Sequence, residues 1–220
     1  MPEITLYFAN GACSLASHIL LEEIGVPYKA VRMQLTPRGV ESADGTISHE
    51  AYRKIHHAGQ VPALAVDGEI ITENVAILSF IATLKPEKKW DGKTATERAK
   101  VLQWLSWTSG TLHGRAYGMA LRPNRVSVNP DDNPKIIEKG RELVKESYAR
   151  IDEELVGKDF LVGGSDTLAD FYIVPFWHWA GRNGIDMFPY PNYTRLVKRI
   201  EAKESAARAL KDESVTPAEQ

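Results

Sequence analysis

Cysteine is the scarcest reactive residue in this chain of 220 residues: there is one, Cys13. An internal disulfide is thereby excluded, and the chain fits a reducing compartment, so a cytoplasmic location is expected. A charge surplus of either sign is also missing. Lys and Arg number 27 against 29 Asp and Glu, for a net charge of -2. No basic excess is left over for a nucleic-acid backbone, and no such partner is expected. No apolar run approaches the roughly 20 residues that a membrane span needs, so a membrane partner is not expected either. The first eight residues have no basic stretch followed by an apolar core, so they do not read as a signal peptide. Internal repeats and low-complexity segments are absent as well. What remains is ordinary globular composition, 43% hydrophobic and 25% charged, with length enough for one large domain or two small ones.

The pattern changes character partway along. Ile4-Thr5-Leu6-Tyr7-Phe8 alternates and reads as a strand. Asn10-Gly11-Ala12 is a turn, and Ser14 to Ile24 carries apolar residues at helical spacing before a stop at Gly25. Tyr28 to Leu35 reads as a second strand, and the polar stretch from Thr36 to Thr46 as an exposed loop. A short helix around Glu50 to Ile55 follows. Val61 to Val66 and Glu69 to Ile71 flank the Asp67-Gly68 hairpin signal. Asn74 is expected to cap the next helix. Strand, helix, strand, loop, strand, strand, helix, with a parallel first pair and an antiparallel second pair, is the order of a thioredoxin-like domain.

Beyond residue 85 strand signals nearly vanish. Residues 86–93 read as a linker, and residues 94–220 as an all-helical domain. Thr94 with Glu97 is a capping-box pattern, and Thr167 with Asp170 is a further cap signal. Asn133-Pro134 opens a long helix that Gly157 ends, and Pro175 falls inside another. Asn192 is expected to cap the last helix, and the chain beyond Lys211 reads as a frayed tail. The fold class expected is an α/β thioredoxin-like domain (residues 1–85) followed by an all-α domain.

Three N-terminal segments carry more than architecture. Gly11-Ala12-Cys13-Ser14-Leu15-Ala16-Ser17-His18, Gly59-Gln60-Val61-Pro62-Ala63-Leu64 and Thr72-Glu73-Asn74-Val75-Ala76-Ile77 closely resemble the beta class of cytosolic glutathione transferases. Trp104-Leu105 through Leu112-His113, and Thr167-Leu168-Ala169-Asp170, resemble the helical half of the same family. The likeness thus covers nearly the whole chain.

Cys13 falls at the start of a predicted helix just after a strand, where N–H groups and the macrodipole favour an anion and lower a thiol pKa. Position alone leaves a buried structural cysteine equally open. The resemblance implies contact with glutathione and the capacity for a mixed disulfide. Ala16 occupies the second thiol position of a Cys-x-x-Cys motif, so a two-thiol cycle is excluded. By the same resemblance Val61-Pro62 is a cis-proline site whose backbone pairs with the cysteinyl part of glutathione, as an added strand does. Glu73 and Asn74 hold the γ-glutamyl end, and Arg38 stands near a lysine position that reaches the glycyl carboxylate. His113 matches a family histidine facing the cleft, and Ser106 stands where asparagine is common. The Ser14 hydroxyl is a second candidate for stabilising the glutathione thiolate. His56-His57 lacks a third ligand at metal spacing and reads as surface, so no metal is expected. Trp104, Trp107, Trp177 and Trp179 read as core or interface residues.

The resemblance implies a homodimeric enzyme, with glutathione as co-substrate, that conjugates glutathione to small hydrophobic electrophiles or uses it to reduce peroxides and disulfides. Two other readings stay open on the sequence. One is a non-catalytic binding module on the same fold. The other is a Cys13-dependent thiol reductase or dehalogenase.

Overall fold

A computed structural model describes residues 2–218; Met1, Glu219 and Gln220, the outermost residues of the two expected domains, lie outside the described residues. The alternation in the first strand is realised in β1 (Ile4–Phe8), where Ile4, Leu6 and Phe8 are buried and Thr5 and Tyr7 half-buried. β1 pairs in parallel with β2 (Lys29–Thr36), placing Leu6 opposite Ala30. On its other side it runs antiparallel to β4 (Ala63–Val66), placing Leu6 opposite Leu64. β4 turns back through Asp67 and Gly68, both at positive φ, into β5 (Glu69–Thr72). This is the expected parallel pair and antiparallel hairpin.

The stretch read as an exposed loop is in part a strand, β3 (Gly39–Ser42), antiparallel to β2. The sheet order is β3-β2-β1-β4-β5. Its signal was hidden because the Gly-Val-Glu-Ser segment has little apolar alternation. The edge strand is held by pairing and by α2 (His49–Ile55), whose His49 ring packs where a Gly39 side chain would stand.

Helix α1 (Leu15–Ile24) is buried over most of its circumference, and Gly25 ends it in the left-handed conformation its lack of Cβ allows. α3 (Asn74–Thr83) buries Ile77, Leu78 and Ile81. Asn74 is not its cap. Glu73 occupies that position, with φ 68, and Asn74 is already in the first turn with its side chain buried. His56, read as surface, is also buried, its ring stacked between Tyr52 and His57.

The chain divides into two compact units, one running to Lys89 and resuming from Arg199, the other spanning Trp90–Lys198. The division between Lys89 and Trp90 lies among residues 86–93, and residues 199–218, expected with the helical domain, cluster with the first unit. In the second unit α4 (Ala95–Trp107) is capped by the Thr94 hydroxyl, but the Glu97 carboxylate accepts from the Lys93 N–H rather than closing a box. α4 then widens into a π-helical stretch, Thr108–Tyr117, and continues as α5 (Gly118–Leu121). α6 (Asn133–Glu154) crosses α5 at Gly140, where any side chain would strike the backbone of Ala120. α7 (Leu168–Arg182) begins with the complete Thr167/Asp170 capping box and runs through Pro175. α8 (Pro191–Glu201) follows. Its N–H groups at Asn192 and Tyr193 are taken by Asp152 of α6, so Asn192 does not cap it.

A further helix, α9 (Glu204–Asp212), lies against α1 in the first unit and buries Ser205, Ala206, Ala209 and Leu210. The expected fraying beyond Lys211 is not found. Glu213, Val215 and Ala218 are buried, and the Ala218 N–H donates to Glu201.

Candidate active site

The first unit brings three separated segments to one thiol. The β1–α1 turn carries Cys13 into the interior, 6% exposed. Two bonds fold that turn. The Ala12 N–H donates to the Ala9 carbonyl at 3.0 Å, and the Leu15 N–H to the Ala12 carbonyl at 3.1 Å. Gly11, at φ 58, supplies the left-handed step. From the second segment, the Cys13 Sγ donates to the Val61 carbonyl at 3.6 Å, and the Val61-Pro62 peptide is cis as expected. From the third, the Asn74 side-chain amide donates to the Cys13 carbonyl at 2.7 Å, while its Oδ1 accepts from Ser17 at 2.5 Å. Asn74 therefore braces the thiol's main chain from the start of α3. Glu73 precedes it, exposed at the head of the same helix.

Tyr52 supports this arrangement from below. Fully buried, it donates its hydroxyl to the Gln60 carbonyl at 2.7 Å, next to Val61. Burial, and then the charge of His57, lower the pKa of His56 beside it.

The other expected site residues are placed differently. Ser14 is buried, and its hydroxyl is engaged by the main chain of Ala9, accepting from the N–H at 3.2 Å and donating to the carbonyl at 3.3 Å. It braces the turn. Arg38 stands in the exposed β2–β3 turn, its guanidinium paired with Glu41 at 2.9 Å. Ser106 and His113 belong to the second unit. Ser106 is exposed on α4. His113 lies in the π-helical stretch with its ring 5.3 Å from that of Phe176 and 5.4 Å from that of Trp179. Burial, with a smaller push from the Arg122 charge, lowers its imidazole pKa to about 4. Trp104 is buried, and Arg150 lies over both Trp104 and Trp107. Among the described residues, no cluster of His, Cys, Asp and Glu suits a metal ion, and no helix is long and apolar enough to cross a membrane.

Two residues with a part in this geometry carried no readable signal. Ser17, one turn along α1 from Cys13, stood within the resembling motif with no role assigned to it. Glu213 lies in the segment that read as a tail.

Known proteins resemble this chain over nearly its whole length. The glutathione S-transferase N-terminal domain profile matches residues 2–83, and the C-terminal domain profile matches residues 121–204. The glutathione S-transferase GST-4.5 of Xanthomonas campestris pv. campestris is 30% identical over 215 residues, covering 96% of this chain and 98% of that one. A bacterial beta-class glutathione S-transferase of Sphingomonas chungbukensis superposes with a TM-score of 0.83 at 32% identity, over 96% of this chain and all of its own. A sphingomonad glutathione S-transferase solved in complex with glutathione gives 0.82 at 31% identity, with the same coverage. The chain belongs to the glutathione S-transferase family. Within that family of enzymes it is similar to the bacterial beta class.

Proposed function

We propose that the first unit binds glutathione against Cys13 and that the enzyme joins the glutathione thiol to small hydrophobic electrophiles. The observation that carries this reading is the meeting of the Cys13 turn, the Val61 carbonyl and the Asn74 amide, from three segments far apart in the chain. In this reading the Val61 main chain pairs with the cysteinyl part of the tripeptide. The Glu73 carboxylate takes the α-ammonium of the γ-glutamyl end, and N–H groups at the start of α3 take its carboxylate. A solved relative holds glutathione, which supports the same ligand here. With Ser14 spent on Ala9, Cys13 is the side chain we assign to meet the glutathione sulfur. Arg38, of the first unit, is assigned an auxiliary contact with the glycyl end of the ligand. The homodimer and the cytoplasmic location belong to this proposal too.

A buried thiol among main-chain partners also favours a second capability, reduction of disulfides or peroxides through a mixed disulfide. The Cys13 thiolate attacks one sulfur of glutathione disulfide, the old S–S bond breaks as the new one forms, and a glutathione thiolate leaves. Intact mass after incubation with glutathione disulfide tests the assignment. One added glutathione, removable by reductant and absent in Cys13→Ser, is expected together with turnover of a chromogenic electrophile. Absence of the adduct would make Cys13 a packed structural residue, and absence of turnover would turn the protein into a binding module. Light scattering at micromolar concentration tests the dimer.

A further inference from the structure

The active-site turn has an anchor some 200 residues away in sequence. The Gly11 N–H, two residues before Cys13, donates to Oε2 of Glu213 at 2.8 Å. The other carboxylate oxygen, Oε1, meets Nδ1 of His18 on α1 at 2.9 Å. Glu213 and His18 are both fully buried. A carboxylate in such a place is costly to desolvate and persists where it answers donors that would otherwise go unmet.

Its position is set by the end of α9. The Val215 N–H donates to the Leu210 carbonyl and the Ser214 N–H to the Lys211 carbonyl, with Ser214 at φ 54. That is a Schellman ending, with Glu213 as the C-cap residue. α9 is itself fastened along α1, through Ser205 to Glu23 and Arg208 to Glu22. Helix end, carboxylate and turn thus form one chain of contacts within the first unit.

We infer that Glu213 is a positioning residue for Cys13: by holding Gly11 and His18 together, the C-terminal segment fixes the turn that delivers the thiol. This rests on Cys13 being the reacting group in the proposed function. The effect passes through the backbone of residues 11–13. Losing the anchor lets the turn open and spoils alignment for attack on a sulfur, and a misplacement of about 1 Å can cost on the order of a hundredfold in rate.

The test compares Glu213→Ala, Glu213→Asp and Glu213→Gln with Ser205→Ala, which loosens the docking of α9 without touching the turn. The readouts are amide hydrogen exchange of residues 9–14, the rate of mixed-disulfide formation at Cys13 with glutathione disulfide, and kcat and KM for conjugation. Glu213→Ala should speed exchange in the turn and slow adduct formation about tenfold or more, with kcat falling more than KM rises. Glu213→Gln, which keeps an acceptor for Gly11, should rescue most of this. Ser205→Ala, which leaves the Gly11 and His18 bonds of Glu213 in place, should lower the melting temperature and disturb the turn much less than Glu213→Ala. If Glu213→Ala does not fold, Glu213→Asp, one methylene too short to span both partners, gives the same comparison. Unchanged turn exchange and adduct rate in a folded Glu213→Ala or Glu213→Asp would overturn the inference, as would equal effects from Ser205→Ala. Should the wild type form no adduct, the functional reading fails, and exchange in the turn still decides whether Glu213 holds it.

Discussion

The starts of α1 and α7 solve the same problem in opposite ways. Each helix begins with N–H groups that lack intrahelical partners. α7 answers them locally. The Thr167 and Asp170 side chains cap each other's main chain, and Asp170 also accepts from the Leu161 N–H at 2.9 Å. α1 has no side-chain cap bond and no acidic residue in its first turn. Ser14, at its cap position, turns back to Ala9, and a carboxylate reaches the turn before it, at Gly11, from Glu213. α3, headed by Glu73, likewise has no side-chain cap bond and no acid in its first turn. A helix start that seals itself serves stability. One that leaves its own side chains out keeps its positive end available for another negative group, which at α3, in the proposed function, is the γ-glutamyl carboxylate of glutathione.

Breaking the sealed end should give the largest effect. Asp170→Ala leaves the buried Thr167 and Leu161 N–H groups without their acceptor, each costing about 1–3 kcal/mol. A loss of about 3 kcal/mol or more is expected in urea denaturation. A loss below about 1 kcal/mol, which is ordinary for a surface cap, would show that the box is not a keystone of the second unit.

Breaking the open end should instead move binding. Glu73 is exposed and makes no cap bond, so Glu73→Ala should leave the melting temperature nearly unchanged. Loss of a charge-assisted bond to the ligand costs about 1.5–3 kcal/mol, which is roughly a tenfold to hundredfold rise in the dissociation constant for glutathione by calorimetry. A folded mutant with unchanged affinity would remove Glu73 from the site. Asn74→Ala should combine both kinds of effect. It removes the side-chain bonds to the Cys13 carbonyl and the Ser17 hydroxyl, for a stability loss of about 1–2 kcal/mol. Equal adduct rates in Asn74→Ala and wild type would mean that bracing from α3 does not matter to the thiol.

The two units also differ in how their candidate groups meet water. Cys13 and Ser14 of the first unit lie among main-chain donors and acceptors, whereas His113 of the second lies among aromatic rings. With a folded pKa of about 4 and an unfolded value of about 6.5, the unfolded chain takes up the proton first as pH falls. The contribution is therefore complete above pH 6.5 and is lost progressively down to about pH 4. A ring titration by NMR should show His113 neutral at pH 7 with its midpoint near 4, and His113→Phe should flatten that limb of the stability profile. A midpoint near 6.5 would mean that water reaches the ring.

How much of this was legible depended on whether partners were close in sequence. The Thr167/Asp170 box, the Gly25 stop and the Asp67-Gly68 hairpin are local, and each could be read from a few adjacent residues. Cys13, Val61 and Asn74 were legible as a set only through family resemblance, since no spacing rule joins positions 13, 61 and 74. What stayed hidden was long-range capping. Asp152 answers α8 from α6, and Glu213 answers the α1 turn from the far end of the chain. Asp152 sits in a charged, helix-like run indistinguishable from a solvated face, and Glu213 in a segment that read as a tail. β3 was missed for the same reason, because its pairing with β2, rather than its own composition, makes it a strand.

The smallest expected effect sharpens the comparison at the helix end that carries the distant carboxylate. Ser214 holds the left-handed position of the α9 ending at φ 54. Glycine is the usual residue there because a Cβ in that conformation costs about 1–2 kcal/mol. Ser214→Gly relieves that cost and gives back part of it through the greater freedom of glycine in the unfolded chain. A net gain of about 0.5–1 kcal/mol is expected in urea denaturation. The informative readout is where the gain appears. If the α9 ending holds Glu213 on Gly11, hydrogen exchange of residues 9–14 should slow along with that of residues 210–215. If the carboxylate is instead held by His18 alone, only residues 210–215 should gain protection, and the turn that carries Cys13 should exchange as before.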